Sequence, residues 1–166
     1  MGTFRSSNID YLANDAESGV YFSPLPVLRW GLNLPVTISP ANVFSKILSA
    51  TPAGSIIVLA HFDTGARTTA IDIGLAEYLN LVQIGSSRVM TAGGPIDSSA
   101  FMIDLQFPGS TLAPLVNLPI NSCRLNFDIT NNLYSSQNFG ILLGRDVMSH
   151  WNIVWNGPTS TVIIND

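Results

Sequence analysis

From Leu34 onward the chain is a succession of short runs of Val, Ile, Leu, Phe and Thr, each cut off by Gly, Pro or Asn within a few residues. Runs of this length and composition build strands, and the punctuation leaves little room for long helices. The expected strands are Leu34–Ser39, Ser55–Phe62, Ser87–Ala92, Ser99–Phe107, Arg124–Thr130, Ile141–Leu143, Ile153–Trp155 and Thr161–Ile164. Two segments carry a helical period instead: Ile73 to Asn80, with Leu75, Ala76 and Leu79, and Arg145 to Trp151, with Val147, Met148 and Trp151. The pattern predicts an all-β domain with one or two short helices. At 166 residues the chain is long enough for one domain with a real core.

Composition narrows the function classes. Charged residues are 11% of the chain against about 25% in a typical soluble domain, and hydrophobic residues are 46%. Disorder needs the opposite balance. A net charge of −4 supplies no basic stripe for phosphates, so no nucleic-acid partner is expected. Cys123 is the single cysteine, so an internal disulfide is excluded, and with only His61 and His150 beside it no metal site and no cofactor are expected. No apolar run is long enough to span a membrane, and Met1 to Asn14 lacks the apolar region of a secretory signal, so the expectation is a cytoplasmic protein with no membrane partner. A weak N-myristoylation pattern runs from Met1 to Ser6, with Gly2 as the acceptor. Residues 1–30 differ from the rest: a polar stretch leads into the Pro-punctuated Tyr21-Phe22-Ser23-Pro24-Leu25-Pro26, which reads as an extended arm.

The chemistry is concentrated in Asp63-Thr64-Gly65-Ala66, which follows the apolar run Ile56 to Phe62. A buried strand here delivers a carboxylate into a tight turn, where Gly65 permits close backbone approach and Thr64 adds a bracing hydroxyl. Asp, Thr and Gly are also ordinary turn formers, so a plain surface turn is the competing reading. About 80 residues later, Gly140-Ile141-Leu142-Leu143-Gly144-Arg145-Asp146 forms an apolar strand that ends in Gly-Arg and leads into the second helical segment.

Taken in order, strand, Asp-Thr-Gly-Ala, helix, Gly-rich hairpin, further strands, then Leu-Leu-Gly-Arg-Asp and a short helix resemble the retropepsin family, the single-domain aspartic proteases of retroviruses and their cellular and bacterial relatives. The segment Ala66 to Leu81 also looks like the family's stretch after its catalytic turn. On that resemblance residues 34–166 are a retropepsin-like aspartic protease domain with a closed or sandwich-like fold acting as a homodimer, and residues 1–33 an N-terminal arm or tail. The resemblance implies Asp63 as the catalytic aspartate, Thr64 as the residue interlocking two active-site loops, and Gly65 and Ala66 as backbone lining of the substrate channel. Arg67 follows them. Arg88 to Asp97 takes the place of the flap, with Met90, Thr91, Ala92, Gly93 and Gly94 at its tip, though an ordinary hairpin would read the same. Leu142 lines a specificity pocket or belongs to the core, and Leu143, Gly144, Arg145 and Asp146 form the supporting motif.

Two departures matter. Retroviral members often carry an acidic residue where this chain has Arg67, and it pairs with the Arg of Gly-Arg; here Asp146 is the candidate replacement partner for Arg145. The C-terminal segment, Asn152 to Ile164, is longer than a single terminal strand and reads as a hairpin around Asn156-Gly157, with Val162 and Ile164 on one face.

The chemistry implied is peptide hydrolysis by two carboxylates sharing a proton. None of Asp72, Asp97, Asp104, Asp128 and Asp146 is followed by Thr-Gly or Ser-Gly, so the second carboxylate must come from a second chain. The expected function is aspartic endopeptidase, with a peptide or protein substrate. A catalytically weak or inactive module for dimerisation or peptide binding is the alternative. Other residues keep two readings. His61, two positions before Asp63 on one strand face, is a polar pocket wall or a hydrogen-bonded structural histidine. His150 reads as structural, Trp151 and Trp155 as core or interface aromatics, and Cys123 as a buried small apolar residue.

Overall fold

The computed structural model describes residues 3–7, 31–41, 54–91, 93–131, 137–156 and 161–166. The Ser39–Ser55 connection, the Tyr21–Pro26 segment, Gly2 and Ala92 fall wholly or mainly outside these residues.

The described chain is mostly β. Strands β1 (Thr3–Ser7), β2 (Asn33–Pro40), β3 (Ile56–Phe62), β4 (Ala70–Asp72), β5 (Gly85–Thr91), β6 (Gly94–Gln106), β7 (Leu115–Cys123), β8 (Phe139–Leu143), β9 (Asn152–Asn156) and β10 (Thr161–Asn165) are accompanied by helices α1 (Ile73–Tyr78) and α2 (Arg145–Met148). Six strands close on themselves in the order β2-β3-β8-β4-β7-β6, because β6 returns to β2 through Thr37↔Gln106 and Ile38↔Leu105. Closure removes open edges along most of this sheet. Strand β5 lies outside the ring as a hairpin partner of β6.

The interior follows the period-2 pattern of the strands. Leu34, Val36 and Ile38 of β2 are fully buried, as are Val58 and Ala60 of β3 and Ile103 and Leu105 of β6. Helix α1 adds Leu75 and Ala76 to the core, and Leu79 just after it is buried as well. It starts where Asp72 accepts a hydrogen bond from Gly74 N (2.8 Å) and stops where Asn80 adopts φ 49°. The other Asp72 oxygen accepts from Leu125 N (2.8 Å), tying the chain after β7 to the helix start.

The remaining strands form a second sheet in the order β1-β10-β9. β10 is its middle strand, and Val162 and Ile164 join the main hydrophobic cluster. The expected C-terminal hairpin is thus present as β9 and β10, with Asn156 opposite Thr161. Part of the N-terminal arm is not a free tail: Thr3–Ser7 pairs antiparallel with Thr161–Asn165.

One expected strand is displaced. Arg124–Thr130 is not a strand; the partner of β6 is β7, at Leu115–Cys123. Pro114, Asn117 and Pro119 obscure that run in the sequence. Pro119 is tolerated because β4 pairs only with Asn121–Cys123, leaving β7 an edge strand at Pro119. Asn117 sits at φ 53°, beside a register shift in β6, and Asp104 accepts its N–H (2.7 Å). Among the described residues no helix is long and apolar enough to cross a membrane.

Candidate active site

Strand β8 lies between β3 and β4, parallel to the first and antiparallel to the second. The chain leaving β3 therefore turns around the end of β8 before it returns as β4, and Asp63-Thr64-Gly65 occupies that turn. Asp63 is held there from both sides. Its N–H donates to Leu143 O (3.0 Å), continuing the β3–β8 ladder by one residue. Its Oδ1 accepts from Gly65 N (2.8 Å) and Ala66 N (3.2 Å), so the carboxylate is aimed by its own turn. Asp63 is half-buried, whereas Thr64 and Gly65 are exposed.

The turn is locked to the start of α2. Arg145 N donates to Ala66 O (3.0 Å), Asp146 N donates to Arg67 O (3.3 Å), and the Arg145 guanidinium donates to Thr64 O (3.1 Å). Gly144 is required at this junction, since a Cβ there would sit 2.5 Å from the Thr68 carbonyl carbon. Leu143, Gly144, Arg145 and Asp146 are thus brought together with residues 63–67.

Arg145 does not take Asp146 as its replacement partner. The Asp146 carboxylate is committed to Thr69, accepting its N–H (2.9 and 3.0 Å) and its hydroxyl (2.8 Å), and to Val147 N (2.9 Å). An acidic side chain at the first turn of a helix finds these backbone donors closer than a flexible guanidinium. Thr69, fully buried, also accepts from Gly144 N (3.0 Å). Sequence reasoning missed Thr69 because one threonine among the Thr68-Thr69 pair has no distinguishing signal until β4 and α2 are adjacent.

His61 is half-buried on β3, where Leu142 is its partner on β8. Its Nδ1 lies 2.9 Å from Asn33 Oδ1, and its ring stacks on Phe139 with centroids 4.8 Å apart and planes at 27°. Gly31, at φ +74°, backs the ring so closely that a Cβ would lie 2.6 Å from Cε1. Burial pushes the His61 pKa below the ordinary 6.5, and the neighbouring Asp63 charge pulls the other way.

The Gly-rich segment is a hairpin, with Thr91 opposite Gly94 and Met90 77% exposed. Thr91 Oγ1 donates to Gly94 O (2.7 Å) and accepts from Gly93 N (3.2 Å), closing the tip. Among the described residues no hydrogen bond joins this hairpin to the 63–67 turn. Leu142 is half-buried rather than core.

The remaining candidates divide. Trp151 packs against Phe62 and Phe107, the latter edge-on at 5.3 Å, so it is a core aromatic. Trp155 is 52% exposed. Cys123 is only half-buried, not the buried apolar residue expected, because β7 ends there and its Sγ lies against Arg124 O. His150 is exposed beyond α2. Among the described residues no three His, Cys, Asp or Glu side chains are grouped to hold a metal ion.

No family model matches this sequence, and no curated protein matches it. The fold is similar to that of a retropepsin-like aspartic protease from Rickettsia conorii, with 12% identity, a TM-score of 0.45, and coverage of 80% of this chain and 79% of that one. It is also similar to the foamy viral protease-reverse transcriptase solved in complex with an RNA/DNA hybrid, at 13% identity and a TM-score of 0.42, covering 73% of this chain and 12% of that one. The likeness is one of strand layout.

Proposed function

We propose that the chain is an aspartic endopeptidase whose active site is completed by a second copy of itself, with one Asp63 from each chain. The observation that carries this reading is the Asp63 turn: a half-buried carboxylate, aimed by Gly65 and Ala66 N–H groups and anchored to β8 and α2. Hydrolysis by this chemistry needs two carboxylates about 3 Å apart sharing one proton. One acts as base on a water while the other, protonated, donates to the scissile carbonyl. A second Asp-Thr-Gly is absent from the sequence, so a two-fold axis through the turn is the economical way to supply the mate.

In this reading Thr64, exposed and with no side-chain partner among the described residues, braces the turn of the mate. Gly65 and Ala66 line the channel, Arg67 flanks it, and the Met90–Gly94 hairpin acts as the flap over an extended peptide. Residues 34–166 are the catalytic domain, with Thr3–Ser7 of the arm completing its second sheet. The outer face of that sheet, where Val154 (48% exposed) lies opposite Ile163, is the surface offered to the second copy. Assay of the wild type against Asp63→Asn on a mixed peptide substrate tests the proposal. Loss of cleavage in a folded variant supports it, and cleavage at the wild-type rate refutes it. A wild type that dimerises and binds peptide without cleaving it would be the binding module.

A further inference from the structure

His61 is more tightly specified than a filler on β3 needs to be. Asn33 fixes one edge of its ring, Phe139 covers a face and Gly31 covers the Cε1 corner. With Asn33 Oδ1 as acceptor, Nδ1 carries the proton and Nε2 keeps its lone pair. That nitrogen has no hydrogen-bond partner among the described residues. Along β3 the ring precedes Asp63 by two residues, which is about 7 Å on the same strand face. An extended peptide has the same repeat, so a substrate reacting at Asp63 places a side chain within reach of the ring.

We infer that His61 reads the substrate side chain bound beside the scissile bond, accepting a hydrogen bond when neutral and acting as a cation in acid, so that acid turns the preference toward an anionic side chain. The inference rests on Asp63 being where substrate binds, as proposed above. The ring's surroundings suit the role. From β2 it meets Asn33, from β8 Phe139 and its cross-strand partner Leu142, and from the chain before β2 Gly31, none of them charged. Asp63 is the charged group that acts on it. Burial lowers the pKa of the ring from its ordinary value while the Asp63 charge opposes that shift, so the ring takes up its charge only on acidification.

The test uses peptides whose scissile amide is replaced by a reduced, uncleavable bond, so that binding is read apart from catalysis. Three versions differ at the residue flanking that bond: leucine, glutamine, and cysteic acid, which stays ionised throughout. Affinities are measured at about pH 4.5 and about pH 7.5, either side of the histidine range. Expected is a preference for cysteic acid over leucine that grows about fivefold or more on acidification. It should vanish in His61→Leu and shrink in Asn33→Ala, which keeps the imidazole but frees its ring. The His61 Cε1 proton resonance should titrate in the wild type and shift on binding the anionic peptide. An unchanged preference in a folded His61→Leu overturns the inference. So does the failure of all three peptides to bind, or a His61 resonance that ignores the anionic peptide. Cleavage without a pH-dependent preference would refute His61 while sparing the peptidase reading. A pH-dependent preference without any cleavage would do the reverse.

Discussion

Thr69 and Asp146 lie 77 residues apart in the chain, yet Thr69 gives both its N–H and its hydroxyl to the Asp146 carboxylate, at 2.8 to 3.0 Å. The pair ties the chain that leaves the Asp63 turn, just ahead of β4, to the start of α2. Thr69 Oγ1 also accepts from Gly144 N, so the same pair fixes the Gly144 junction whose neighbours Arg145 and Asp146 bind the carbonyls of Ala66 and Arg67.

Removing either partner should therefore loosen the whole junction. Thr69→Val removes the hydroxyl that donates to Asp146 and accepts from Gly144 N, and Asp146→Ala leaves the buried Thr69 N–H and hydroxyl without their acceptor, so each is expected to cost about 1–3 kcal/mol. The double variant should be less damaging than the sum of the two. Denaturant titration of the four proteins measures this, and additive losses would show that the two residues act independently.

Asp63→Asn should fold and dimerise as the wild type does while losing at least about a thousandfold in peptidase rate. The amide keeps the shape of the carboxylate, but it is neither a base nor able to share a proton. Circular dichroism, sedimentation and a peptidase assay on the same preparation check all three parts.

Peptidase activity should follow a bell-shaped curve with its maximum in acid. Two carboxylates in contact titrate as a unit, and the active form carries one negative charge per pair. A rate still rising through about pH 8, with no descending limb, would contradict this.

His61 sets a separate pH dependence, in stability. Its pKa is below 6.5 in the folded chain and returns to the ordinary value on unfolding. In between, the unfolded chain binds the extra proton, so stability is fully present above 6.5 and is lost as the pH falls toward the folded value. Melting temperatures across this window should drop more for the wild type than for His61→Leu. Equal slopes would mean that the ring is not shielded.

Dimerisation should depend on the outer face of the β1-β10-β9 sheet. Deleting Thr161 to Asp166 is a poor probe of it, because β10 is the middle strand and Val162 and Ile164 are core residues. Val154→Glu is cleaner, since Val154 is 48% exposed and opposite Ile163. A charge there should weaken self-association about tenfold or more and leave the fold intact. Activity per chain should then fall on dilution at higher concentrations than for the wild type. A variant that stays dimeric and active at the wild-type dilution would move the interface elsewhere.

Much of the strand layout was legible because short apolar runs punctuated by Gly, Pro and Asn build strands. Ile56–Phe62 and Phe139–Leu143 carry apolar residues on both faces and pair with each other in the ring. β7 was illegible for a local reason: Pro114 stands just before it, and Asn117 and Pro119 interrupt a strand that is an edge over part of its length. β4 has three residues, too few for any pattern. At the site, Asp63 and Gly144 announced themselves through the residues beside them. Asn33 and Gly31, which hold His61, lie some 30 positions away and carry no mark of that task.

What the sequence by itself determined is the set of local facts: strands from short punctuated apolar runs, a turn from Asp-Thr-Gly, a single such turn per chain, and too few cysteines for a disulfide. Each depends on neighbours within a few residues, where backbone preference and burial period act directly. Tertiary structure alone decided the partners. Asp146 turned from Arg145 to Thr69, His61 found Asn33 beside its Nδ1, and β10 became the middle strand of a sheet that β1 completes. These choices are settled by which polar groups are buried together, and a buried donor takes the acceptor that the fold brings within about 3 Å, however far away it lies in the chain.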